Sequence, residues 1–311
     1  MSDLIRSSVL TGYRQLVAKL GGDASTLLRR ANIDPAGLER QDAPISFKAV
    51  IRLLESSARV LDCPDFGLRM ACEQDLRILG PVGIIGLNSA SVGDAIAAMI
   101  EHISFYSPAV LSEIDRVSAN RVLLTYDIDL DGVIHRRQTI ELAMGLYLRH
   151  MQTLSGGHFV PLAVLMRHAA PLPQAEYRRF FKCSVRFGQS LNALVVRPSD
   201  LDRPLNNADS HLRGVIAEYV KHSMTSHPMD IQKQVAYLVR RLLPERRCTL
   251  NVVAQHMYLH QRTLQRRLAE ADIAFEEIVD EVRRERAEEL LSESALTMAQ
   301  IALFHPRHWL Q

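Results

Sequence analysis

The feature that most constrains the fold is a change of hydrophobic period near Pro108. Upstream, "SVLTGYRQLVAKLG", "SFKAVIRLLESSARVL" and "GDAIAAMIEHISFYS" repeat apolar residues every three or four positions, the spacing that turns one helix face into a core. Downstream, "AVLSEIDRVSANRVLLTYDID" alternates around Ser118, Ala119 and Asn120, as the two strands of an antiparallel hairpin do. "RRQTIELAMGLYLRHMQTLSGG" returns to helical spacing and stops at Gly156 and Gly157. "FVPLAVLMRHAA", "CSVRFGQ" and "NALVVRPSD" then resume strand character around a short helix at "QAEYRRFF". After Pro204 only helical patterns follow, beginning with "SHLRGVIAEYVKHSM" and continuing past a Pro-containing link at "SHPMD". The expected architecture is an α+β N-terminal domain, helices packed on a mostly antiparallel sheet, followed by an all-α domain. The boundary is expected near 225 to 230. Residues 1 to about 60 are expected to be helices, with stops at Gly21-Gly22 and Cys63-Pro64.

A chain of 311 residues can bury two cores of ordinary size. With 47% apolar and 23% charged residues it has the composition of a folded globular protein, not of a disordered or fibrous one. Cysteines 63, 72, 183 and 248 stand far apart with no CxxC pair, which suits inert thiols in a reducing compartment. Neither a secretory leader nor an apolar run of roughly 20 residues is present, so a cytoplasmic location without membrane contact is expected. The net charge of +2 carries no information about partners. Its distribution does: between Arg240 and Arg267 seven arginines face one acid, Glu245, inside a helical pattern. Such a local excess is the footprint of a polyanion site.

That basic window contains a two-helix pattern. In "TLNVVAQHMYLHQRTLQRRLAEA", Leu250, Val253, Ala254 and Met257 fall at i, i+3, i+4 and i+7, with Thr249 placed to cap the helix. After a break of about three residues, Leu264 and Leu268 share the inner face of a second helix. Together these make a helix-turn-helix at about 249–271. With the leucines turned inward, Arg262, Gln265, Arg266 and Ala269 project together. Arg forks onto guanine O6 and N7, Gln onto adenine, and Ala allows close approach, so Arg262, Gln265 and Arg266 are the expected base-reading residues. Arg246, Arg247, Gln261, Thr263 and Arg267 are expected to contact phosphates. An Arg-rich helix face is more often merely solvated; the paired helices, the turn spacing and a weak repeat favour the DNA reading. In that repeat, Thr249, Leu250, Val253 and Ala254 recur 48 residues later as Thr297, Met298, Ile301 and Ala302.

The run "VAQHMYLHQRTLQRRLAEADIAFEEIVDEVRRERAEELLSES" resembles the DNA-binding domain of the AraC/XylS family of bacterial transcription regulators. The match rests on Ala254, Leu259, Arg262, Thr263, Leu264, Gln265, Arg266, Leu268, Phe275, Arg283, Ala287 and Leu291. "LLESSARVLDCPDFGLRMACEQDLRILGPVGIIGLNSASVGDAI" and "SPAV" are similar to the arabinose-binding-domain-like sensor of one branch of that family. The resemblance implies a ligand-sensing domain at 1–225 and a DNA-binding domain at 230–311. Within the latter it implies a linker helix at about 275–293 and a second helix-turn-helix beginning at 297. The linker would lay Phe275, Ile278, Val279, Val282, Leu290 and Leu291 against both modules. Tyr258 departs from a turn position often filled by glycine, and His260 from one where serine usually caps the recognition helix.

By the same 48-residue offset the recognition helix of the terminal copy would fall at about 309–319, and within the copy His305 replaces the apolar Met257 and Pro306 ends the first helix. The second helix-turn-helix, 297–311, is therefore expected to be incomplete. The function expected is a sequence-specific DNA-binding transcriptional regulator responding to a small effector. The alternative is a sensor or interaction protein whose DNA binding is impaired by loss of the second module. Expected partners are double-stranded promoter or operator DNA, an effector whose site no single sequence reveals, RNA polymerase and a second copy of the chain.

No cofactor, metal site or enzymatic activity is expected. His256 and His260 have i, i+4 spacing but span the turn and lack the Glu of a zinc helix. The glycines of "GPVGIIG" are expected to serve close packing rather than phosphate binding. Glu101 with His102, and Asp127 with Asp129, are not expected to work as acid–base pairs: acids on a helix or strand surface are usually solvated, and no nucleophile accompanies them.

Overall fold

The structure is a computed structural model that describes residues 3–36, 43–130, 135–206, 208–226, 231–243, 248–257, 261–271 and 273–293. The chain divides into two compact units, Met1–Thr225 and Ser226–Gln311.

The first unit opens with β1 (Leu4–Arg6), α1 (Tyr13–Lys19) and α2 (Ala24–Arg30), then β2 (Pro44–Ser46), α3 (Phe47–Val60) and α4 (Phe66–Cys72). Next come α5 (Pro81–Leu87), α6 (Val92–Glu101), α7 (Ile103–Tyr106), β3 (Val110–Ser118), β4 (Arg121–Ile128) and the long α8 (Arg137–Leu154). β5 (Ala163–Leu165), α9 (Gln174–Phe181), β6 (Ser184–Arg186), β7 (Ala193–Val196), α10 (Pro198–Leu201) and α11 (Ser210–Ser226) follow.

The expectation of helices throughout the first 60 residues is corrected at two places. Leu4–Arg6 and Pro44–Ser46 pair as a small antiparallel sheet, Ile5 opposite Ile45. The helix expected from Ser8 instead starts at Tyr13, after a 3-10 turn at Ser7–Leu10. Gly12 lies between them at φ 79°, and a Cβ there would stand 2.5 Å from Glu73 Cβ, so both conformation and space require glycine. Capping is local and readable: Ala49 N–H donates to Ser46 Oγ at the start of α3, and Asp94 N–H to Ser91 Oγ at the start of α6.

The main sheet has the order β3-β4-β7-β5-β6, antiparallel except for the parallel β5–β6 pair. Val110 faces Ile128 and Ser112 faces Tyr126 across the hairpin, while Leu124 faces Leu194 on β7. Alternation gives the sheet two faces. Val122, Leu124, Tyr126, Leu194 and Val196 join the main core with α8, whereas Leu123, Ala163, Ala193 and Val195 form a small cluster on the other side.

α8 runs through this unit with most of its residues buried, including Gln138, Thr139, Glu141 and His150. Its crossing with α4 depends on small residues: a Cβ on Gly67 would approach Gln138 O to 2.1 Å, and one on Gly145 would meet Ala71 Cβ at 2.6 Å. The glycines of α5 also mark packing. A Cβ on Gly83 would strike Leu76 O and one on Gly86 the Met99 side chain.

The described residues of the second unit form α12 (Ile231–Leu242), α13 (Leu250–His256), α14 (Gln261–Glu270) and α15 (Phe275–Glu293). Their core is separate from the first. Val235, Val239 and Leu242 of α12 meet Val253 and Ala254 of α13, Leu264 and Leu268 of α14, and Ile278, Val279 and Val282 of α15.

Candidate functional site

α13 and α14 are held by the residues that the sequence pattern places inward. Thr249 Oγ1 accepts from Val252 N–H at 3.3 Å at the start of α13. Leu264 and Leu268 are buried, so the opposite side of α14 faces outward. Arg262, Gln265, Arg266 and Ala269 are exposed together on that side, with exposed Gln261 at the helix start and half-buried Thr263 and Arg267 on its flanks. Arg266 Nε lies 3.6 Å from Glu270 Oε1, with both side chains well exposed, an ion pair that costs little to open. Arg240 is not part of this face: it is paired with Glu285 and ties α12 to α15. Arg246 and Arg247 lie outside the described residues. So do Tyr258, Leu259, His260, the side chains of His256, Ala287, Leu290 and Leu291, and the whole segment 297–311.

The first unit contains two polar constellations that sequence reading does not single out. One surrounds Glu141, fully buried in α8. Tyr177 OH donates to its Oε1 at 2.8 Å, Arg137 Nη1 approaches at 3.3 Å, and His168 Nε2 stands 3.7 Å away. Burial dominates and pushes the Glu141 carboxyl up to about 7, against the opposing pull of Arg137 and Tyr177. Burial likewise lowers His168. The only sequence signal was an acid within the apolar run "IELAMGLYL", which an isolated helix pattern cannot distinguish from a solvated position. Asp127, expected to be solvated, is partnered by Arg167 at 3.0 Å and Arg136 at 3.7 Å.

The other constellation lines a cavity of about 90 Å³ between α8 and the β3–β4 hairpin, closed by α6 and α7. α8 contributes Thr139, Leu142, Ala143, Leu146, Tyr147, His150 and Met151, a stripe at helical spacing. Tyr147 OH donates to Thr125 O at 3.1 Å and shares a 2.5 Å hydrogen bond with Ser112 Oγ. Thr139 Oγ1 and His150 Nε2, both buried, have no hydrogen-bond partner among the described residues. Burial drives the His150 imidazole down to about 4, opposed by its hydrogen bond to the Asp75 backbone. The ring is therefore neutral near pH 7.

No helix among the described residues is long and apolar enough to cross a membrane. Residues 21–205 match the family described as the arabinose-binding domain of AraC transcription regulators, N-terminal. Among curated proteins, the chain is similar to the HTH-type transcriptional regulator VirS of Mycobacterium tuberculosis. The two are 33% identical over 304 residues, covering 97% of this chain and 89% of VirS. The ornithine utilization regulator of Pseudomonas aeruginosa is 22% identical over 321 residues, with the same coverage of 97% and 89%. The crystal structure of the transcriptional regulator CdpR from Pseudomonas aeruginosa aligns with TM-score 0.48 and 18% identity, covering 94% of this chain and 90% of that one. A family match over more than half of the chain and a 33% identical relative along nearly its full length lead to one conclusion: this protein belongs to the AraC family of transcription regulators.

Proposed function

We propose that the protein is a sequence-specific DNA-binding regulator controlled by a small effector, with 1–225 as the sensing domain and 230–311 as the DNA-binding domain. The carrying observation is the exposed stripe of Arg262, Gln265 and Arg266 on α14, backed by Leu264 and Leu268 in a compact helical core. α13 and α14 act as a helix-turn-helix whose second helix enters the major groove of promoter or operator DNA. Arg262, Gln265 and Arg266 read base edges; Gln261, Thr263 and Arg267, together with Arg246 and Arg247, hold phosphates. α15 is the linker helix of that domain, leading to the start of a second helix-turn-helix at 297. RNA polymerase and a second copy of the chain complete the partners of this cytoplasmic regulator, which needs no catalytic step.

A gel-shift titration against genomic fragments tests the reading. Specific complexes should survive competitor DNA, and Arg266→Ala should weaken the preferred site by about 1–3 kcal/mol while relaxing preference at one base pair. Arg267→Ala should instead weaken all sequences alike and reduce the salt slope by about 1. An equal loss on every sequence for Arg266→Ala would overturn its base-reading role.

A further inference from the structure

The walls of the α8 cavity limit what can occupy it. They are built almost wholly of aliphatic and aromatic side chains, and among the described residues no Asp, Glu, Lys or Arg lines them. An ionised ligand would lose its hydration there without a counter-charge, a cost of several kcal/mol. A polyol fares no better. The Ser112 and Tyr147 hydroxyls already bond each other, and Thr139 Oγ1 and His150 Nε2 are the buried side-chain atoms of the lining left unpartnered. Beyond these only the Tyr106 and Tyr126 hydroxyls add polar atoms to the lining, so several of a sugar's hydroxyls would be buried unsatisfied, at about 1–3 kcal/mol apiece.

The two unpartnered atoms also define a direction. Thr139 and His150 are eleven residues apart on one helix, about 16 Å of rise. The α8 residues that line the void of about 90 Å³ run from Thr139 to Met151, about three turns, an extent that suits a single chain better than a ring system. Met99 and Met151 in its wall are the side chains best able to give way as it fills. At one end, the neutral His150 ring bonds the Asp75 carbonyl through one nitrogen, which must carry the proton. Nε2 is then a bare acceptor.

We infer that this cavity is the effector site and takes an unbranched, uncharged aliphatic molecule whose terminal hydroxyl, or comparable donor, bonds His150 Nε2. Thr139 holds any polar group at the far end. The inference rests on the effector-sensing reading above and narrows its ligand away from sugars and ionised acids.

The test is isothermal titration calorimetry of the full-length protein with 1-octanol, octanoate at pH 8 and L-arabinose. 1-Octanol should bind saturably at one site per chain, octanoate at least tenfold more weakly, and L-arabinose not at all. His150→Phe should weaken 1-octanol about 3- to 10-fold, the worth of one hydrogen bond. His150→Gln, which keeps an acceptor, should restore most of the affinity. Ala143→Leu fills the middle of the void and should abolish binding while the thermal midpoint is kept or raised, which separates blockage from misfolding. Equal affinity for octanol and octanoate, binding of L-arabinose, or octanol binding indifferent to both His150→Phe and Ala143→Leu overturns the inference. Gel shifts with and without 1-octanol examine the effector reading separately. Saturable binding with no change in DNA affinity would sink that reading and leave the cavity assignment standing.

Discussion

Glu141 and His150 lie on the same helix, α8, and burial shifts them in opposite senses. Glu141 is raised from 4.5 to about 7, so the folded state holds its proton more tightly than the unfolded chain does. Its contribution to stability is complete below about pH 4.5 and is lost as pH rises toward 7, up to about 3 kcal/mol. His150 is lowered from 6.5 to about 4, so the unfolded chain takes up the proton first. Stability from that group is complete above about pH 6.5 and is lost as pH falls toward 4, by a similar amount. Between pH 4.5 and 6.5 the two slopes oppose each other. Urea unfolding of Glu141→Gln across this window should therefore expose a rise in stability with pH that is steeper than in the unsubstituted protein. Parallel profiles for the two proteins would show that Glu141 is not held protonated by its surroundings. None of this is legible in the sequence, because burial of a side chain in α8 is set by α4, α9 and the sheet, all remote along the chain.

At the scale of elements, the α4–α8 crossing and the α13–α14 pair behave differently. Gly67 looks replaceable in the sequence, since alanine is the better helix former. In the structure its Cα faces the backbone of α8, where a Cβ would lie 2.1 Å from Gln138 O. Gly67→Ala should therefore lower the unfolding free energy of the first unit by about 1–3 kcal/mol, measured by denaturant titration, despite its favourable propensity. An unchanged or higher midpoint would mean that α4 and α8 can part without cost. For α13 and α14 the sequence was informative, because inward Leu264 and Leu268 and outward Arg262, Gln265 and Arg266 follow from helical period alone. The β3–β4 hairpin was legible for the same reason: its alternation and its turn are local.

For the whole molecule, the two hydrophobic cores share no residue. Leu268→Ala, which opens a cavity in the second core, should cost that unit about 2–5 kcal/mol and weaken DNA binding. Hydrogen exchange should then accelerate across α12 to α15 while α8 and β4 keep their protection. Equal acceleration in both units would show that they unfold as one. Helix and strand character, the hairpin and the exposed face of α14 were determined by the sequence itself, since each depends on residues within one or two turns of one another. The pairing of β1 with β2, the protonated Glu141 and the apolar cavity ending at His150 were decided only by tertiary structure. Each exists because side chains tens of residues apart are brought together and cut off from water, and no local period encodes which segments will meet.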